Sequence, residues 1–192
     1  MPQSQLKATL SATMESFTAN PDGAKLVFSA KTKLENGVSC SAKVRNFMPI
    51  ATDEPPELGG KDSAMNPVEL VLCALGTCQE VMYSAYAAVM GIELESVEVD
   101  VRGYLDARGL FGMADVFPGY DKIRYETRIT SSADPQSIKN LIDAVESHCP
   151  VMDTIVRPVA VTGKSFLNGN PVHTTAATGE SGNKATAPST AS

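Results

Sequence analysis

Apolar residues recur every three to four positions over 66–91, NPVELVLCALGTCQEVMYSAYAAVMG, and this spacing predicts a long α-helix. Asn66 and Pro67 read as N-cap and first helical residue, Glu69 holds the return position of a capping box, and Gly91 closes the far end. At about 100° per residue, Leu70, Val71, Ala74, Cys78, Val81, Met82, Ala85 and Val89 share one face. That face is predicted to be the buried one, with Cys78 near its centre and Cys73 well off it.

Before this helix the pattern changes to short alternating runs. LKATLSAT, AKLVFSAKT and GVSCSAKVRNF are separated by NPDG and ENG, which predicts three antiparallel strands joined by tight turns over 6–47, with Cys40 packed in the third. Residues 51–65, rich in proline and glycine, read as an irregular loop. After Gly91, IELESVEVDVRGYL alternates as a strand, with Val97, Val99 and Val101 on one face. DKIRYETRITS gives a second such strand after the glycine-rich ARGLFGMADVFPGY. Phe111, Phe117 and Tyr120 either pack that connection or wall an apolar pocket.

Asp134 and Pro135 open a second helix in which Ile138, Leu141, Ile142 and Val145 keep helical spacing, and Pro150 stops it after His148 and Cys149. VMDTIV then reads as a turn and PVAVTGKSF as a last strand. One folded domain is thus expected over 1–167. Residues 168–192, rich in Gly, Ser, Thr and Ala, are expected to form a disordered tail that carries His173.

Composition narrows the function. The chain has 192 residues, 43% of them apolar and 20% charged, as in an ordinary globular domain. Its 16 basic and 22 acidic residues give a net charge of -6, which argues against a nucleic-acid partner. No run reaches the roughly 18 apolar residues of a spanning helix, and MPQSQLKATL lacks a signal-peptide pattern, so the expected location is the cytoplasm with no membrane partner.

Four cysteines, Cys40, Cys73, Cys78 and Cys149, form no CxxC pair and are too scattered for a disulfide framework. Cys78 and Cys149 lie in or beside the two helices. Packing of those helices would make them a dithiol in which one sulfur attacks and the other resolves; otherwise each is a small buried hydrophobe. A buried reactive thiol needs a cation to hold its thiolate, and Arg45 and Arg157 are the candidates. A zinc site from Cys73, Cys78, His148 and Cys149 is disfavoured, because residues five apart on a helix diverge by about 140°. There is no GxSxG elbow, phosphate loop or dinucleotide fingerprint.

The segments DEPPELGGKDSAMNPVELVLCALGTCQ, GIELESVEVDVRGYLDARGLFGMADVFPGYDKIRYETRI and HCPVMDTIVRPVAV resemble the OsmC-like family, which includes organic hydroperoxide resistance proteins. The likeness runs from about residue 6 to 166, and the pairing of NPxEL and ALGxC with HCPVxDT is specific. It implies an α+β fold with two long central helices enclosed by curved antiparallel sheets of an intertwined homodimer. It also implies a thiol peroxidase that needs no cofactor or metal, in which Cys78 attacks an organic hydroperoxide, Cys149 resolves the sulfenic acid, and a lipoyl-type dithiol reduces the disulfide.

In the family's hydroperoxidases the residue after the NP pair is a glutamate that positions an activating arginine. Here Val68 holds that place and Glu69 follows, turned about 100° away. The resemblance therefore carries over Arg45 as the activating cation and Glu69 as the carboxylate beside it, while Glu69 also reads as the capping partner of Asn66. The alternatives are a dimeric redox-sensing or small-molecule-binding protein without turnover, and a structural role with inert thiols.

Overall fold

The computed structural model describes residues 2–178. It begins with helix α1, Gln3–Ala19, where three strands were expected to start. LKATLSAT alternates over too few residues to exclude helical spacing, and Gln3, Leu6 and Leu10 fall on one side and are half-buried, where α1 packs on the long central helix. Thr9, Thr13 and Thr18 donate their hydroxyls to the carbonyls of Gln5, Thr9 and Met14, which satisfies these strand-favouring residues inside a helix. NPDG forms a 3-10 turn, Pro21–Ala24, rather than a hairpin.

Strands β1, Lys31–Asn36, β2, Ser39–Lys43, and β3, Ile50–Thr52, form an antiparallel sheet in that order. The ENG turn falls where the sequence predicts it, with Gly37 at φ 58°. AKLVFSAKT is only partly a strand. Its apolar Leu26, Val27 and Phe28 precede β1 and are 62%, 94% and 88% exposed. The sheet's principal contacts within the chain are among its own strands.

The loop between β3 and the central helix is pinned by Asp53, which is 1% exposed. Its carboxylate accepts from the hydroxyls of Ser39 and Ser63 and from the amides of Lys61 and Ser63. These bonds, led by the Ser63 hydroxyl, hold Asp53 well below the usual carboxylate range against the opposing effect of burial.

Helix α2, Pro67–Met90, has the ends expected from sequence: Asn66 and Glu69 form a reciprocal capping box and Gly91 ends the helix at φ 73°. Its buried side differs from the expected one. Leu75, Gly76, Gln79, Tyr83, Ala87 and Ala88 are buried, whereas Val71 and Val81 of the predicted face are 39% and 65% exposed. The helix is apolar around much of its circumference, so periodicity does not single out the side that meets the chain's own sheet.

That sheet pairs β4, Ser96–Leu105, with β5, Tyr120–Thr130, in antiparallel register from Ser96 opposite Thr130 to a bulge at Tyr104 and Leu105. Val97, Val99 and Val101 turn inward as predicted. Gly76 lets α2 approach: a Cβ there would lie 3.3 Å from Val101 Cγ2. The short helix α3, Ala107–Leu110, lies within the connection.

Helix α4, Pro135–His148, starts on an Asp134 cap and packs along α2, where Tyr83, Ala87, Ile92, Leu141 and Val145 form the buried core. Residues expected as a turn form helix α5, Pro150–Val156. Pro150 ends α4 and also suits the first position of a new helix. The last strands, β6, Val161–Leu167, and β7, Asn170–Thr178, make a hairpin. The expected tail over 168–192 is therefore corrected in its first part. Asn168 and Gly169 adopt φ 51° and 85°, a two-residue turn, and the Thr-rich segment that follows pairs with β6. Residues 179–192 lie outside the described residues. No helix among the described residues is long and apolar enough to cross a membrane.

Candidate active site

Cys78 sits half-buried midway along α2, and Cys149 is 1% exposed at the joint between α4 and α5. The joint is a local consequence of sequence. The residue before a proline is driven out of the helical region, and Cys149 adopts φ -69° and ψ 112°, so it ends one helix and caps the next. This turn brings the Cys149 thiol near enough to the Cys78 thiol to help raise its pKa, with both cysteines free. Residues 71 positions apart thus become neighbours.

The amide of Val151, one of the unpaired donors in the first turn of α5, points its N–H at the Cys78 sulfur. Burial is the largest influence on that thiol and pushes its pKa up; the Val151 N–H opposes it and the neighbouring Cys149 adds to it. Among the described residues, no cation acts on Cys78 strongly enough to enter this balance.

Arg45 lies just after β2 at φ 49°, its guanidinium 4.5 Å from the Phe47 ring centroid. Arg157 is committed to Asp153, with Nη2 2.8 Å from Oδ2. Glu69 accepts from the Asn66 amide at 2.8 Å and so performs the capping role. Cys73 is exposed against Met65, Cys40 is half-buried in β2, and His148 Nδ1 meets the Ala144 carbonyl 2.9 Å away. No group of three or more metal-binding side chains gathers among the described residues.

A cavity of about 390 Å³ lies between α2, β5 and α5, with Val71, Leu75, Tyr120, Tyr125, Met152 and Ile155 in its walls. Val71 and Leu75 precede Cys78 by two turns and one turn on the same side of α2, and Met152 follows Cys149 by three residues. The thiol pair and an apolar chamber thus share their supporting elements. Of the aromatic residues left open by sequence, Tyr120 is a wall of this chamber, whereas Phe111 and Phe117 are 60% and 64% exposed.

Sequence reasoning missed the Val151 amide, the α5 walls and a polar cluster beside the thiols. Tyr125 donates to Glu146 Oε1 at 2.6 Å, and burial, reinforced by Glu146, pushes its hydroxyl up to about 12. The side chain of Gln79, next to Cys78, is 1% exposed, and neither polar atom has a hydrogen-bond partner. It lies near the Tyr125 hydroxyl, but in a geometry that falls short of a bond. A helical pattern in VMDTIV after Pro150 was the one available signal for the α5 contribution.

Comparison with known proteins identifies the family and the fold. The OsmC-like protein family model matches residues 60–164, which include both thiols and the cavity walls. The chain belongs to the OsmC-like family. A hydroperoxide reductase of Mycoplasma genitalium is 27% identical over 122 residues, spanning 64% of this chain and 82% of that protein. An OsmC-like protein from Mycoplasma pneumoniae superposes with a TM-score of 0.59 at 21% identity, covering 68% of this chain and 88% of the other. An organic hydroperoxide resistance protein from Legionella pneumophila gives 0.54 at 22% identity, covering 69% and 92%. The chain has the α+β, antiparallel OsmC-like fold.

Proposed function

We propose that this OsmC-like protein is a thiol-dependent peroxidase that reduces organic hydroperoxides to alcohols. The observation that carries the reading is the meeting of Cys78 and Cys149 beside an apolar cavity. The Cys78 thiolate attacks the terminal peroxide oxygen, the O–O bond breaks, and the alkoxide takes a proton and leaves as alcohol. Cys78 is then a sulfenic acid. Cys149 attacks its sulfur, water departs and a disulfide forms, which an external dithiol of lipoyl type reduces by exchange.

The active unit in this reading is a cytoplasmic, intertwined homodimer whose sheets enclose the central helices. Its support is the exposed apolar surface of α2, together with the β1–β3 sheet that packs chiefly on itself. Arg45, carried on that sheet, is the cation that offsets the effect of burial on Cys78 once the partner's sheet closes over α2. Glu69 keeps its capping role at the helix entrance.

The test is consumption of cumene hydroperoxide by the purified protein with dihydrolipoamide. Cys78→Ser is expected to abolish it, and Cys149→Ser to accumulate a sulfenic acid that dimedone traps. Absence of turnover above the Cys78→Ser background would overturn the proposal. The raised Cys78 pKa favours a second reading, a redox sensor or small-molecule binder whose disulfide forms once without steady-state turnover. Stopped-flow oxidation followed by a stalled steady state would select it.

A further inference from the structure

Strand β4 presents Val97, Val99 and Val101 to the interior, and the next inward position is Gly103. A side chain is missing where the pattern calls for one. The Tyr120 ring fills that slot: a Cβ on Gly103 would lie 2.3 Å from Tyr120 Cε1 and 2.6 Å from Cδ1. The residue opposite Gly103 in register is Ile123, and the bulge at Tyr104 and Leu105 lets Tyr120, at the start of β5, swing across. The Tyr120 hydroxyl then donates to the Val68 carbonyl at 3.0 Å, which fixes the ring to the first turn of α2. Its ring is a wall of the 390 Å³ cavity.

Val68 and Cys78 are ten residues apart, about 15 Å of helix at 1.5 Å per residue. The cavity lies along α2 between these positions, with Tyr120 in its wall and Leu75, one turn before Cys78, as the α2 lining residue nearest that thiol. Val71 lines it as well, and α5 contributes Met152 and Ile155 opposite. A ring pinned at both its face and its hydroxyl is a stiff stop, unlike a free loop aromatic.

We infer that Tyr120, seated on Gly103 and tethered to Val68, is a specificity-determining residue that limits how long an aliphatic tail the hydroperoxide can carry. This rests on the peroxidase reading above and deepens it: the preferred substrates are unbranched alkyl hydroperoxides of intermediate length. The tail lies against α2, and the peroxide group meets Cys78. Apolar pockets discriminate a single methylene by about 10–200-fold, so a wall that moves by a ring's width is felt strongly.

The experiment compares kcat/KM for tert-butyl, octyl and dodecyl hydroperoxides in the wild-type protein and in Tyr120→Ala, Tyr120→Phe and Tyr120→Trp. Calorimetric binding of octanol and dodecanol to the same proteins gives a readout independent of turnover. Tyr120→Ala is expected to raise the dodecyl-to-tert-butyl ratio about tenfold and to tighten dodecanol relative to octanol. Tyr120→Phe keeps the ring and the wild-type order, and Tyr120→Trp moves preference toward the short substrate. Gly103→Ala, which evicts the ring, shifts preference in the same direction as Tyr120→Ala.

A merely structural tyrosine would lower all three rates together. Ratios and alcohol affinities unchanged in variants that melt cooperatively would overturn the inference. If the wild type consumes no hydroperoxide but the alcohol affinities shift as stated, the peroxidase reading fails and the assignment of Tyr120 as the wall stands.

Discussion

Replacing Gln79 by methionine should stabilise this protein, the opposite of the usual outcome for a change in a packed interior. Gln79 lies on the buried side of α2 between Leu75 and Tyr83, it is 1% exposed, and both its Nε2 and its Oε1 lack partners. Burying a primary amide without hydrogen bonds costs about 1–3 kcal/mol by mutational measures. Methionine has the same unbranched reach and about the same side-chain entropy, so volume and ordering nearly cancel. The expected gain is about 1–2 kcal/mol, which in a domain of this size is about 2–8 °C in Tm. Urea unfolding and calorimetry at matched protein concentration measure it. Gln79→Glu is the control and should destabilise strongly, because it buries a carboxyl group in the same place. A loss of more than about 1 kcal/mol in Gln79→Met would refute the reasoning. It would mean that the amide is bonded in solution, with the nearby Tyr125 hydroxyl as the first partner to examine by Tyr125→Phe.

Other expectations are more direct. Leu141→Ala, at a position 0% exposed between α2 and α4, should cost about 2–5 kcal/mol in chemical unfolding, and a cost below about 1 kcal/mol would place the core elsewhere. Asp53 has a depressed folded pKa, so its stabilising effect is complete above the unfolded carboxylate value of about 3.9 and is lost as pH falls through the lower folded value. Asp53→Asn should therefore destabilise at neutral pH and flatten the acid limb of the stability curve; an unchanged acid limb would exclude it. If Arg45 activates Cys78, Arg45→Ala should move the pH midpoint of Cys78 alkylation upward, toward the raised value that burial alone imposes. An unmoved midpoint would assign activation to another group.

The division between what the amino-acid order decides and what packing decides is visible in single elements. The limits of α2 are local: a side-chain oxygen at Asn66, a proline in the first turn, a carboxylate three residues on and a glycine that tolerates φ 73° act within a few residues of each other. The ENG turn and the Asp134 cap of α4 are legible for the same reason. Pro150 marks the end of α4, although not the start of α5, because one residue serves both. The two cysteines and the OsmC-like resemblance are also legible, since they are statements about residue identity.

Tertiary contacts decided the rest. An eight-residue run with leucines four apart fits a strand or a helix, and its docking on α2 made 3–19 helical. A Thr-rich segment with nothing to bury gained order by pairing with β6. The buried side of α2 follows from where the sheet lies, which a helix apolar on several sides does not specify. The same holds for the site: a sequence names Cys78 and Cys149, but only the turn at Pro150 brings the one thiol near the other, and only the missing side chain at Gly103 lets Tyr120 wall the cavity. Short-range rules set the ends of elements because their energies act within a turn of chain. Which faces meet depends on the sum of many weak contacts between residues far apart in sequence, and that sum exists only once the chain is folded.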